Sequence, residues 1–221
     1  MIHTLCFKDI VKGFLKNAGL YHPARNLLCC YRQRAELKRW KEKGCPPAVP
    51  HLIKQATLKE YANKYSIKVF VETGTFYGDM VEAMKGYFGK IYSIELSEGY
   101  YQAAKERFAG DERIKILHGD SGKEIDKIIK ELKEPALFWL DGHYSGGTTA
   151  RGDKETPVFE ELAHIFNAAD PGHVIIIDDA RDFGTDPAYP TLEELKDFVF
   201  SKRNNMKMTV KNDSIRIDFR D

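Results

Sequence analysis

At residues 69–79 the chain reads Val-Phe-Val-Glu-Thr-Gly-Thr-Phe-Tyr-Gly-Asp. The three apolar residues and the acid predict a buried strand, and Gly74 and Gly78 predict a tight turn that leads into a helix. A strand, a glycine turn and a helix start bring a ligand against bare backbone, because glycine has no side chain in the way. This segment therefore predicts a nucleotide-like binding site at the end of a buried strand.

A second predicted strand, 91–95, also ends in a carboxylate, Glu95. In such a pair of strands the second acid binds ribose hydroxyls. The glycine spacing excludes two common nucleotide motifs. A dinucleotide fingerprint needs glycine where this chain has Phe76, and a Walker loop needs a Gly-Lys-Ser/Thr run that does not follow here. The Phe76 side chain would block a pyrophosphate, so the segment does not match a dinucleotide site.

The rest of the chain alternates between strands and helices. Apolar runs predict strands at 68–72, 90–95, 113–118, 136–141 and 173–178, with helices at 79–87, 99–108, 123–132, 157–166 and 191–200. Near the end, 206–211 and 214–219 flank Asn212-Asp213, which predicts a two-residue hairpin. Continuous apolar strands are buried on both faces, as in a parallel sheet. The pattern predicts an α/β fold with a mostly parallel seven-stranded sheet, a C-terminal antiparallel hairpin and helices on both faces.

The first part of the chain differs in charge from the rest. Residues 1–45 hold ten Lys and Arg against three Asp and Glu, a net charge of +7, whereas the remaining 24 basic and 30 acidic residues give −6. Three prolines at 46, 47 and 50 indicate a linker, and Thr57-Leu58-Lys59-Glu60 has the pattern of a capping box that opens a short helix. We expect a basic helical extension and linker over 1–56 and a folded domain over 57–221.

The basic extension has several interpretations. It is a solvated arm, a homodimer contact, or a peripheral contact with an anionic membrane surface or a polyanionic glycan. The net charge of the whole chain is only +1 and the domain is acidic, which disfavours nucleic acid as a partner. No apolar run approaches the length of a transmembrane segment, and no signal peptide is apparent. Four cysteines within residues 1–45, without zinc-ligand spacing, indicate reduced thiols and a cytoplasmic protein.

Acidic residues follow every predicted parallel strand. In chain order the strand ends carry Glu72, Glu95, Asp120 with Ser121, Asp141 with His143, and Asp178 with Asp179. Helix capping explains one or two such acids. Ligands of an open α/β sheet bind beyond the carboxyl ends of the strands. Five acidic ends therefore indicate a shared cationic ligand or metal ions.

Three segments resemble one family. The pattern Glu72-x-Gly74-x-x-x-Gly78 is similar to the first motif of class I S-adenosylmethionine-dependent methyltransferases. Residues 139–147 (WLDGHYSGG) and 177–181 (IDDAR) resemble uncharacterised bacterial members, a group that looks associated with surface-polysaccharide and secondary-metabolite pathways. The resemblance covers roughly residues 57–221. It implies the Rossmann-like class I methyltransferase fold.

The resemblance also implies S-adenosylmethionine as the cofactor and assigns its contacts. The backbone near Gly74 and Thr75 passes the methionine moiety, Glu95 holds the ribose, Leu96 packs on the adenine face, and Asp120 with Ser121 reads the adenine. The full set of expected cofactor residues is Glu72, Thr73, Gly74, Thr75, Gly78, Glu95, Leu96, Asp120, Ser121 and Asp141.

A metal site is expected at Asp141, Asp178 and Asp179, which end neighbouring strands of this fold. Three close carboxylates repel one another unless a cation or protons intervene, and hard ions such as magnesium bind such oxygens. The pattern resembles the metal-dependent catechol-type and macrocin-type O-methyltransferases, although the catechol-type enzymes have Asp-Asn where this chain has Asp178-Asp179. The resemblance implies that a metal activates a substrate hydroxyl, with His143 as general base or further ligand.

The sequence therefore predicts an S-adenosylmethionine-dependent O-methyltransferase for a small polar acceptor, either a sugar or polysaccharide precursor or a secondary metabolite, assisted by a divalent metal. His143, Asp141 and Asp179 are the candidate catalytic residues. Tyr144, Arg151 and Arg181, in loops after the fourth and fifth strands, are the candidate acceptor contacts. Two alternatives remain open: a metal-free methyltransferase with His143 or Asp179 as base, and a non-catalytic S-adenosylmethionine-binding partner subunit.

Overall fold

The computed structural model describes residues 20–142, 156–168 and 172–219. The chain divides into two compact units, one comprising residues up to Pro46 with Pro50–Leu52, and the other comprising Pro47–Val49 with the residues from Ile53 onward. Helix α1 (Tyr21–Glu42) belongs to the first unit, and none of its residues is buried. Helix α1 lies within the segment for which the sequence predicts a basic helical extension. Among the described residues, no helix is both long enough and apolar enough to cross a membrane.

The second unit alternates between strands and helices. Its elements are α2 (His51–Lys64) from Ile53 onward, β1 (Val69–Thr73), α3 (Asp79–Met84), β2 (Lys90–Glu95), α4 (Glu98–Phe108), β3 (Ile114–His118), α5 (Ser121–Glu131), β4 (Ala136–Leu140), α6 (Val158–Asn167), β5 (Val174–Ile177), α7 (Leu192–Lys202), β6 (Met206–Lys211) and β7 (Ser214–Phe219). A single turn of 3₁₀ helix, Ala180–Asp182, follows β5.

The described strands form one seven-stranded sheet in the order β3-β2-β1-β4-β5-β7-β6. The first five strands pair in parallel, whereas β7 is antiparallel to both β5 and β6. This arrangement confirms the predicted sheet and hairpin. The order of strands along the chain reverses between β1 and β4. Such a switch point opens a crevice at the carboxyl ends of the strands, where ligands of this kind of sheet bind.

The central strands are apolar because both of their faces are covered. Every residue of β1, β4 and β5 is buried. Side chains alternate between the two faces of a strand, so Val69 and Val71 join one apolar cluster while Phe70 joins the other. A layer of helices covers each face. The acidic residues that follow these strands therefore lie at the edge of a rigid sheet.

One predicted helix start is wrong. Helix α2 begins at His51, directly after Pro50, and not at Thr57. Thr57 is buried inside the helix, where its hydroxyl accepts a hydrogen bond from Arg216 Nη2 (3.3 Å). The capping pattern misled because it is local, whereas the partner of Thr57 lies 159 residues away. The earlier start adds a first turn of helix that carries Lys54.

Candidate active site

The loop after β1 lies directly against the end of β4. Gly74 has a φ of +84°, and a Cβ atom at this position would lie 2.5 Å from the carbonyl oxygen of Asp141. The Gly74 amide donates to Ile94 O of β2 at 2.9 Å. Glycine is required here both by its backbone conformation and by the close approach. Bare backbone is thus present at the switch point, where the sequence predicts the cofactor.

A buried polar chain supports this loop from beneath. The Thr75 and Ser93 hydroxyl oxygens lie 2.6 Å apart, and Ser93 Oγ donates to Glu72 Oε2 at 2.5 Å. Glu72 is only 2% exposed. Burial raises its pKa well above the usual range, against the opposing effect of the Ser93 hydrogen bond. Thr75 of the loop is therefore tied through Ser93 to Glu72 of β1.

Glu95 is fixed at the end of β2 by two backbone amides. Its Oε2 accepts from Phe76 N (2.7 Å) and its Oε1 accepts from Ser97 N (2.8 Å). Each carboxylate oxygen keeps a second acceptor position. Leu96 is half-buried beside it, and the Leu96 carbonyl accepts from His118 Nε2 (3.1 Å). Glu95 is thus held in one orientation with acceptor capacity to spare.

Asp120 begins helix α5 as its N-cap. Its Oδ1 accepts a hydrogen bond from Gly122 N (3.0 Å), and its Oδ2 lies 3.7 Å from Lys123 Nζ. Ser121, the first residue of the helix, is 8% exposed. Helix capping is therefore one reason why an acidic residue follows β3. The adenine contacts expected of Asp120 and Ser121 stay predictions.

Glu161, in the first turn of α6, belongs to this region and was not predicted. It is 1% exposed and accepts hydrogen bonds from the Ser121 and Thr73 hydroxyls. Burial raises its pKa to about 7, while those hydrogen bonds act in the opposite direction. Among the described residues its Oε1 has no hydrogen-bond partner. Its burial could have been predicted from helical spacing, because Glu161 lies on the same face of the helix as the apolar residues Val158 and Ile165.

The structure brings Asp141, Asp178 and Asp179 together at the ends of β4 and β5. Each offers a carboxylate oxygen, and these oxygens lie within 4.8 Å of one another. We call these three residues the acidic cluster. Arg181 Nη1 donates to Asp179 Oδ1 at 2.8 Å and also to Asp213 Oδ2 in the hairpin turn. Arg181, expected as an acceptor contact, is thus paired with two aspartates.

Lys54 also reaches the acidic cluster, which the sequence did not indicate. Its ammonium donates to Asp178 Oδ2 and lies 3.6 Å from Asp179 Oδ1. Carboxylate oxygens are suitable ligands for a hard divalent ion. However, Lys54 and Arg181 already bind two of the three carboxylates that such an ion would need, Asp178 and Asp179. The cluster as folded therefore does not fit a divalent metal unless Lys54 moves away.

Three predicted residues lie outside the described part of the chain: His143, Tyr144 and Arg151. Their expected roles stay predictions.

A groove lies beside the acidic cluster, between α6, the loop after β5 and α7. Its volume is about 640 Å³, and it is lined by Thr156, Val158, Phe159, Pro187, Ala188, Tyr189, Pro190, Glu194 and Phe198. A small cavity of about 20 Å³ adjoins it and is lined by residues that include Asp178 and Glu161. Thr156, Val158 and Tyr189 line both spaces. The groove therefore leads from the surface toward the acidic cluster.

No protein-family model and no curated protein matches this chain. Solved structures do match. The O-methyltransferase TomG from Streptomyces achromogenes, involved in tomaymycin synthesis and solved with S-adenosylmethionine, has a TM-score of 0.56 at 16% identity, over 85% of this chain and 88% of TomG. The chain has the class I methyltransferase fold.

Two further structures with this fold agree. An O-methyltransferase from Bacillus cereus, in complex with S-adenosylhomocysteine, has a TM-score of 0.57 at 15% identity, over 85% of this chain and 90% of that one. The S-adenosylhomocysteine-bound methyltransferase PaMTH1 from Podospora anserina has a TM-score of 0.56 at 13% identity, over the full length of both chains. The Rossmann-like methyltransferase fold that the sequence predicts is confirmed.

Proposed function

We propose that this protein is an S-adenosylmethionine-dependent O-methyltransferase that methylates a hydroxyl of a small polar acceptor, a sugar or polysaccharide precursor or a secondary metabolite. One observation carries the proposal. Gly74 packs against the Asp141 carbonyl at the switch point, with Glu95 held in place at the end of the neighbouring strand and the acidic cluster on the other side. In a methyltransferase fold, this arrangement supports a nucleoside site with a polar reaction site beside it.

The cofactor roles follow from these positions. The bare backbone at Gly74 receives the methionine end, and the spare acceptor positions of Glu95 bind the ribose hydroxyls through charge-assisted hydrogen bonds. Leu96 and Asp120, beyond β2 and β3, lie on the adenine side. Glu72 and Thr75 hold the loop from beneath. Asp141 contributes negative charge next to the cationic sulfonium.

The reaction is an in-line displacement. The acceptor oxygen attacks the methyl carbon, the bond from carbon to sulfur breaks, and sulfur keeps the electron pair. The hydroxyl proton passes to a base, for which Asp179 and His143 are the candidates. The groove beside the cluster holds the acceptor. Its proline and aromatic walls suit the flat face of a ring, and Thr156 and Glu194 offer polar contacts.

The sequence leaves two forms of the reaction open, one assisted by a divalent metal and one metal-free. Transfer that withstands a chelator would select the metal-free form. A partner subunit that binds the cofactor without catalysis is the remaining alternative. It predicts cofactor binding without methyl transfer to any acceptor.

Calorimetric titration with S-adenosylhomocysteine tests the cofactor site. The wild-type protein is expected to bind with micromolar affinity, and Glu95→Gln is expected to weaken binding by about a hundredfold, because a charge-assisted contact to the ribose is lost. Glu98→Gln is the matched control, since it removes the same charge from an exposed side chain three residues away. Thermal melting of each variant separates lost binding from lost folding.

An acceptor screen follows with methyl-labelled S-adenosylmethionine. Free sugars, sugar nucleotides and hydroxylated aromatic compounds are compared for transfer of the label. Wild-type protein that binds no cofactor would refute the proposal. Equal affinity of Glu95→Gln and Glu98→Gln would refute the role assigned to Glu95.

A further inference from the structure

A lysine from the helix that precedes β1 reaches the acidic cluster. Lys54, in the first turn of α2, donates from Nζ to Asp178 Oδ2, and its Nζ lies 3.6 Å from Asp179 Oδ1. The Asp178 and Asp179 side chains are 1% and 9% exposed, and that of Lys54 is 19% exposed. This contact is a largely buried ion pair between a helix and the carboxyl edge of the sheet.

The ammonium of Lys54 lies against two carboxylates of the cluster, Asp178 and Asp179, and such neighbours favour its charged form. Arg181 pairs with the cluster on another side, through Asp179 Oδ1 at 2.8 Å. Arg181 is shared with Asp213, so these four carboxylates and the two cations leave a formal charge of −2. A sulfonium cation nearby would reduce that remaining negative charge.

We propose that Lys54 is the resident cation of the acidic cluster, in the place that a divalent metal would otherwise take, and that it is a positioning residue for metal-free methyl transfer. Its catalytic meaning rests on the proposed function, whereas the occupied cation site is a property of the folded chain alone. Lys54 Nζ binds one oxygen of Asp178 and lies near Asp179, so a divalent ion held by the cluster would lie close to an ammonium that repels it. Metal binding therefore requires Lys54 to leave.

A simple tether between α2 and β5 would behave differently. Removing a tether lowers the free energy of unfolding and leaves the metal affinity of the cluster unchanged. Removing a resident cation leaves carboxylates that repel one another, which creates a site for another cation. The affinity for divalent ions is therefore the measurement that separates the two roles.

The experiment titrates Mn²⁺ into the full-length protein, with free Mn²⁺ followed by electron paramagnetic resonance and Mg²⁺ binding followed by calorimetry. Wild-type protein and Lys54→Arg are expected to bind neither ion at a stoichiometric site. Lys54→Met removes the charge but keeps most of the stem, and it is expected to gain affinity of about tenfold or more. Lys59→Met, on the same helix but with its ammonium 4.4 Å from the Tyr87 ring, is the control and should match wild type.

A further variant locates the gained site. Adding Asp178→Asn to Lys54→Met should abolish the new Mn²⁺ binding, because the cluster loses one of its carboxylates. Stoichiometric Mn²⁺ binding by wild-type protein that Asp178→Asn removes would overturn the proposal. The proposal would also be overturned if Lys54→Met unfolded in a cooperative thermal transition like that of wild type but showed no gain in Mn²⁺ affinity. If Lys54→Met does not fold, Lys54→Gln, which also removes the charge, replaces it in the titration.

This test is independent of the proposed reaction. S-adenosylhomocysteine binding, measured on the same samples, reports on the cofactor site, whereas Mn²⁺ binding reports on the cluster. If the protein does not bind S-adenosylhomocysteine, the proposed function is refuted, and the metal titration still tests whether Lys54 is the resident cation. If the wild-type protein binds a metal stoichiometrically at the cluster, the role of Lys54 as resident cation is refuted, and the methyltransferase proposal is unaffected.

Discussion

Ionisation of the buried Glu161 carboxyl destabilises the folded protein at neutral pH. In the folded protein burial raises its pKa to about 7 from an ordinary value of 4.5. Between these two values the folded chain binds more protons than the unfolded chain, so the free energy of unfolding falls as the pH rises toward 7. Below pH 4.5 this stabilising contribution is complete, and above pH 7 it is lost. A buried acid in this position makes the stability of the sheet edge depend on pH.

We expect Glu161→Gln to remove this dependence. The amide keeps an oxygen for the Ser121 and Thr73 hydroxyls but carries no charge at any pH. The variant should therefore gain stability over wild type as the pH rises from 5 to 8, with a difference on the order of 3 kcal/mol at the upper end. Urea unfolding at a series of pH values measures it. Glu160→Gln, on the same helical turn but less buried, is the control, and parallel curves for Glu161→Gln and wild type would contradict the expectation.

At the scale of elements, helix α5 combines a structural and a proposed functional role in one side chain. The Asp120 carboxylate caps the helix through Gly122 N, and the proposed cofactor site assigns it an adenine contact. The two roles respond differently to substitution. An N-cap needs only an oxygen acceptor, which asparagine also supplies.

We expect Asp120→Ala to lower the free energy of unfolding by about 1 kcal/mol and Asp120→Asn to change it by less than about 0.5 kcal/mol. Both should weaken S-adenosylhomocysteine binding if the residue contacts adenine. Ser97→Ala is the control, because Ser97 at the start of α4 makes no side-chain capping bond and its loss should be nearly neutral. Denaturation and calorimetry on the same samples give both numbers. Normal affinity in both Asp120 variants would leave capping as the only role.

The elements themselves could be predicted because their signals are local. The strands β1, β4 and β5 are buried on both faces, so their own residues form apolar runs that identify them. The acids that follow these strands could be grouped because parallel strands end at one edge. The start of α2 could not be predicted, because Thr57 bonds with Arg216, 159 residues away.

Lys54 shows the same limit at the candidate site. Its partner Asp178 lies 124 residues away, and a lysine near a proline-rich linker gives no local sign of being buried. The three carboxylates of the cluster can be predicted because they follow neighbouring strands, whereas no local pattern indicates the lysine that compensates their charge. Sequence reasoning therefore led to a metal as the missing positive charge. Glu161 is hard to predict for a related reason, since an acid in the first turn of a helix is ordinarily exposed and is stabilised there by the helix dipole.

At the scale of the whole molecule, charge and packing divide the chain near its prolines. Net positive charge is concentrated in 1–45, and the two apolar clusters of the domain contain no described residue before Leu58. Helix α2, however, runs across the boundary between 56 and 57 that the sequence indicates. Its first turn supplies Lys54 to the acidic cluster and the buried side chain of Gln55. The domain is therefore expected to require residues before 57.

Two deletions test this boundary. Removal of residues 1–45 should leave S-adenosylhomocysteine affinity within about twofold of wild type and a cooperative melt, because no buried residue of the described fold is lost. Removal of residues 1–56 should lower the melting temperature by roughly 10 °C, because the buried Lys54 ion pair is broken and Asp178 is left without its partner. Differential scanning calorimetry compares the two products directly. Equal melting temperatures would show that the first turn of α2 is dispensable, whereas unfolding of the shorter deletion would show that the domain depends on the basic extension.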